Sequence, residues 1–216
     1  PSPPVDEAFI RGKTFLITDD GEGAAAALLH DLARAGSVGI LVPAGALTSC
    51  EAAAAAIAQL REHVGTIHGL FHLLPLRSAS TFPHVDMTEW QTCLNQEVRG
   101  LLFLLQALQP ELRQGREVPF VVAAASVGGG DFGPDLEPTQ PWRGGLAGLL
   151  KVASSEWPDV RFCCLNYADH PSDLLTHLLQ EFAATGPVDV AYLPDGTRLG
   201  IQLVRHEVPA DSVPAA

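Results

Sequence analysis

Residues 120–157 read FVVAAASVGGGDFGPDLEPTQPWRGGLAGLLKVASSEW. An uninterrupted apolar run leads to Ser126, the signature of a strand buried on both faces. Glycines 128–130 then open a loop, and a helix is expected from about Arg143 until Pro158 stops it just after Trp157. Strand, glycine-rich loop and helix make one repeat of an α/β fold. Three polar residues punctuate it: Ser126 at the strand end, Thr139 thirteen residues on, and Arg143 four residues beyond that.

Working outward, the same alternation recurs. Strands are expected at 13–18 (KTFLIT), 37–42 (SVGILV), 67–74 (IHGLFHLL) and 160–166, with a closing pair around the Pro-Asp-Gly turn of DVAYLPDGTRLGIQLV. Helices are expected between them. The first has Asp20 as its cap and Gly36 as its stop. The second opens with a Thr48–Glu51 capping box and runs through five alanines to about Glu62. A long third helix starts at the Asp86–Glu89 pair and reaches about Leu108. Another is capped by Ser172 and ends near Gly186.

Strands alternating with helices predict a three-layer Rossmann-like α/β fold, with a mainly parallel sheet and a terminal β-hairpin. Only one helix fits between the second and third strands. The sheet should therefore be truncated by one βα unit at an edge. The domain is expected over 11–206, with Pro-rich linkers at 1–10 and 207–216.

Composition bounds the function. At 47% apolar and 18% charged residues, the 216-residue chain has enough apolar material for one full core. A net charge of −12 argues against nucleic acid as a partner, since nothing offsets phosphate repulsion. No apolar run is long enough to span a bilayer and no secretory signal pattern opens the chain, so no membrane partner and a cytoplasmic location are expected. Cysteines 50, 93, 163 and 164 lack metal-ligand spacing, and adjacent Cys163 and Cys164 should point to opposite faces of a strand. His68 and His72, at even spacing on one predicted strand, should share a face as structural histidines.

The turn after the first strand, TDDGEGAAAA (18–27), keeps part of a dinucleotide pattern in Gly21 and Gly23. Alanine displaces the final glycine. Asp19 and Asp20 stand where an anion belongs, and each would oppose a diphosphate by roughly 1 kcal/mol even in water. The loop after the second strand, PAGALTS, offers neither an acid for a ribose hydroxyl nor a base for a 2′-phosphate. No nicotinamide cofactor is expected.

The Ser126, Thr139 and Arg143 spacing resembles the short-chain dehydrogenase/reductase superfamily, where serine is followed by a catalytic tyrosine and then by lysine or asparagine. In that resemblance Ser126 would orient a substrate carbonyl. Thr139 cannot act as the acid, because an aliphatic hydroxyl is far less acidic than a phenol. Tyr167 and Tyr192 lie in other segments. Trp90 is followed seven residues on by Glu97, where the superfamily has asparagine or, in some ketoreductases, lysine; Glu97 reverses the charge expected from lysine. No catalytic, cofactor-binding or metal residue is therefore assigned.

Together with GGLAGLLKVASSEW (144–157) and IHGLFHLLPL (67–76), these features resemble the ketoreductase region of type I polyketide synthases, specifically its N-terminal structural subdomain. The resemblance implies a truncated, non-catalytic half that steadies an NADPH-dependent half reducing β-ketoacyl-carrier-protein intermediates. Its implied partners are that half and neighbouring domains of the same polypeptide, with an acyl carrier protein as a further contact. Two alternatives stay open: an active or relict reductase, and an interdomain or carrier-protein interaction module.

Overall fold

The structure, a computed structural model, describes residues 7–115, 118–128, 140–184 and 186–200. One sheet contains β1 (Thr14–Thr18), β2 (Val38–Val42), β3 (Gly69–His72), β4 (Val121–Val127), β5 (Arg161–Tyr167), β6 (Asp189–Tyr192) and β7 (Arg198–Gly200). The spatial order is β2-β1-β3-β4-β5-β6-β7. Neighbours run parallel except β6 and β7, which form the expected terminal hairpin. A short 3-10 turn (Ala44–Leu47) and a single α-helix, α2 (Cys50–Val64), separate β2 from β3, and β2 is an edge strand, as the single-helix spacing predicts.

The other helices are α1 (Ala24–Arg34), α3 (Met87–Cys93), α4 (Gly100–Ala107), α5 (Gln109–Leu112), α6 (Gly144–Glu156) and α7 (Leu174–Ala183). Alternate strand residues feed two separate cores. On one face Leu28 and Leu32 of α1 and Leu178 and Phe182 of α7 pack on Phe15, Ile17, Phe71 and Cys163. On the other, Ile57 of α2, Leu104 of α4 and Leu150 of α6 pack on Leu16, Leu70, Val122 and Cys164. Cys163 and Cys164 thus point apart, as the period of a strand requires. The rings of Phe15 and Phe71 stack at 4.9 Å, and Phe71 meets Phe182 at 6.1 Å.

Local details correct several expectations. The cap of α2 is Ser49, whose hydroxyl accepts from the Ala52 amide; Thr48 instead donates to the Gly45 carbonyl. Asp173, not Ser172, caps α7 by accepting from Thr176. Both misses are shifts of one residue between adjacent hydroxyl or carboxylate side chains, which pattern alone cannot separate. His68 precedes β3 instead of lying in it, and its Nδ1 accepts from the Thr14 amide. The long third helix is interrupted: its Asp86 cap is as expected, but a π-helical stretch, Leu94–Arg99, joins α3 to α4.

Candidate functional site

The carboxyl ends of the parallel strands are where an α/β sheet binds ligands, because the connections there diverge at a switch in strand order. Here the divergence lies between β1 and β3. Thr139 lies outside the described residues, as do Gly129 and Gly130; Ser126, Arg143, Glu97 and the cofactor turn can be followed.

The π-helical stretch brings Glu97 to this end of the sheet. Asn95 and Arg99 face solvent, while Glu97 is 0% exposed. Such stretches widen the turn and re-aim side chains, frequently at functional positions. The Glu97 carboxylate accepts four bonds. Arg143 Nε donates to Oε2 at 2.9 Å and Arg143 Nη2 to Oε1 at 3.3 Å. Arg77 Nε donates to Oε1 at 3.0 Å, and the Trp142 indole N–H to Oε2 at 3.0 Å.

Arg143 is equally enclosed, at 0% exposed, and its remaining donors reach the Val127 carbonyl at 2.6 Å and the Arg77 carbonyl at 2.7 Å. A carboxylate and a guanidinium removed from water are tolerable only when their polar atoms are met, and here every nitrogen of Arg143 and both oxygens of Glu97 are hydrogen-bonded. Two of the four family positions have become each other's counter-charge. Thus Arg143 holds Glu97. The clue available in the sequence was the simultaneous appearance of opposite charges at positions the superfamily brings together. Arg77 and Trp142, the other two donors, carried no such signal.

Beneath this pair lies a neutral chain. The Leu73 and Leu74 amides both donate to Thr18 Oγ1, so the hydroxyl proton must point to its third neighbour, His72 Nδ1, 3.0 Å away. That makes Nδ1 an acceptor and puts the ring proton on Nε2, which donates to the Glu97 carbonyl at 2.7 Å. Burial pushes the His72 pKa down to about 4, outweighing the nearby Glu97 groups. Both ring nitrogens are engaged by protein atoms, which suits a structural histidine.

Ser126 is buried and donates to Asn166 Oδ1 at 3.1 Å. Asn166 Nδ2 donates in turn to Asp189 Oδ1 at 2.8 Å, and Lys151 Nζ closes the series on Asp189 Oδ2 at 2.7 Å. The serine proton is directed sideways to Asn166 of the neighbouring strand β5.

At the cofactor turn, Gly21 and Gly23 adopt φ of 73° and 110°, left-handed values that favour glycine. Gly23, not Asp20, is the N-cap residue of α1, because the left-handed turn at Gly21 and Gly23 adds residues before the helix starts; the same turn bends the Asp20 side chain back over the start of α1. Its carboxylate accepts from the Ala25 amide at 2.8 Å and from the Ala24 and Glu22 amides at 3.1 Å each. Asp19 accepts from Gly21, and Glu22 takes both the amide and hydroxyl of Ser78. The amides that would face a diphosphate at a helix N-terminus are therefore satisfied by a carboxylate of the chain itself. Beside it, a cavity of about 250 Å³ remains between Asp19, Val42, Leu47, Leu74, Arg77 and Gln96. The residues present do not fit a nicotinamide dinucleotide: the anion position is filled and a second carboxylate, Asp19, borders the cleft.

Residues 7–164 match the family described as enoyl-(acyl carrier protein) reductase. The chain belongs to this family, a branch of the short-chain dehydrogenase/reductase superfamily. Solved short-chain reductases and ketoreductases share its fold. A multidomain structure of a keto acid-selecting NRPS module, described as adenylation, ketoreductase and pseudo Asub, matches over 92% of this chain at 16% identity and a TM-score of 0.69. A-type ketoreductases from a modular polyketide synthase match over 92% at 23% identity and 0.61. A short-chain dehydrogenase from Mycobacterium avium matches over 95% at 12% identity and 0.66. The chain spans 17% of the NRPS chain, 39% of the polyketide synthase chain and 91% of the mycobacterial enzyme. No curated protein matches its sequence significantly. Among the described residues of this short-chain reductase fold, no helix is long and apolar enough to cross a membrane, and no group of three metal-ligating side chains converges.

Proposed function

We propose that this short-chain reductase chain is a non-catalytic structural half of a polyketide-synthase-type ketoreductase. It steadies a second, NADPH-dependent half that reduces β-ketoacyl groups carried on an acyl carrier protein. The observation that carries the reading is the buried Glu97–Arg143 pair, which fills the reaction centre with a closed set of hydrogen bonds. The Asp20 carboxylate over α1 and the sideways engagement of Ser126 support it independently. Its workplace on this reading is the cytoplasm, within a multienzyme.

The test is calorimetric titration of the chain with NADPH and assay of a model β-keto thioester, with and without a catalytic half supplied in trans. The chain alone should neither bind nor turn over; with the second half, turnover and thermal stability of that half should rise. Micromolar NADPH binding by the isolated chain would overturn the reading.

A further inference from the structure

The loss of one βα unit leaves β2 at the sheet edge, and within Val38–Val42 this edge carries neither charge nor proline, Pro43 standing just past its end. Edge strands are ordinarily guarded by charged residues, proline or a bulge, because their outward amides and carbonyls template pairing. Residues 36–50 contain no charged side chain in a chain with 38 of them. Among the described residues β2 pairs only with β1. Val38 and Leu41 stand 54% and 43% exposed.

The direction of the free groups follows from the inner pairing. The Val38 amide donates inward to the Lys13 carbonyl, so Val38, Ile40 and Val42 direct their backbone groups to β1. Gly39 and Leu41 direct theirs outward. We propose that β2 pairs antiparallel with β2 of a second copy of this chain, about a two-fold axis at Ile40. Only this register puts Gly39 opposite Leu41 in both directions, satisfying all the outward groups with four backbone bonds. Ile40 faces its own copy as the intervening non-hydrogen-bonded pair.

Side chains fit the same register. Leu41 would lie beside the other copy's Gly39, which has no side chain of its own and is overlain by Leu29 of α1. Val38, the more exposed residue, would lie beside Val42, which is 4% exposed. A neutral strand is also where two chains of net charge −12 can approach with least repulsion. Two five-residue edges form a small contact beside the ~1,200 Å² of a standard interface, so the association is weak and concentration-dependent.

The experiment is sedimentation analysis of the 216-residue chain over a concentration series, with Leu41→Lys as the variant. The mass should rise toward the dimer for the wild type and stay monomeric for Leu41→Lys, whose circular dichroism should match the wild type. In a Cys50→Ser background, Ile40→Cys should form a disulfide dimer on mild oxidation, because the non-hydrogen-bonded pair sets its α-carbons about 4.5 Å apart. A wild type that is monomeric throughout, a dimer indifferent to Leu41→Lys, or no cross-link from Ile40→Cys each overturns the proposal. None of these readouts involves NADPH or ketone reduction, so the result stands apart from the reading of the active-site remnant.

Discussion

Glu97 and Arg143 meet 46 residues apart in sequence with neither side chain exposed to solvent, joined by bonds of 2.9 and 3.3 Å. The pair ties the helix running into α4 to the start of α6, across the end of the sheet. Removing one partner should strand the other charge in the core. Glu97→Gln and Arg143→Met singly should each cost about 3–5 kcal/mol in urea unfolding. The double variant Glu97→Gln/Arg143→Met should cost clearly less than the two singles together. Additive losses would mean the residues act separately.

His72 makes stability depend on pH. Its folded pKa of about 4 lies below the ordinary 6.5, so between these values the unfolded chain binds a proton that the folded chain refuses. Stability should therefore fall as pH drops from 6.5 to 4, by roughly 3 kcal/mol from this residue. His72→Gln should flatten that part of the curve relative to wild type in denaturant titrations at stepped pH.

Asp20 serves the first turn of α1. Asp20→Ala should lower stability by about 1–2 kcal/mol, the usual cost of a lost helix cap, and Asp20→Asn should recover most of it because one acceptor oxygen remains. Thermal denaturation of the three proteins distinguishes these outcomes.

Thiol reactivity should report the fold directly. Cys50 is exposed, whereas Cys93, Cys163 and Cys164 are buried, and burial raises the pKa of all three buried thiols. An aromatic disulfide reagent should titrate one thiol in the native chain and four after denaturation. Fast labelling of more than one native thiol would contradict the two packed cores.

The sequence alone determined the layered α/β plan, because buried parallel strands and capped helices leave local signatures of composition and period. It also determined that β2 is an edge, since the 42–69 interval has room for only one α-helix and no further strand. The altered Glu97 and Arg143 were legible as departures from a reductase pattern. Their mutual bond was not, nor was the capture of α1's amides by Asp20 or the His72 relay. Those depend on a π-helical stretch and a left-handed turn that set side chains facing each other across segments distant in sequence. Chain order carries no record of which donor meets which acceptor; only the folded geometry, by burying both, makes the choice.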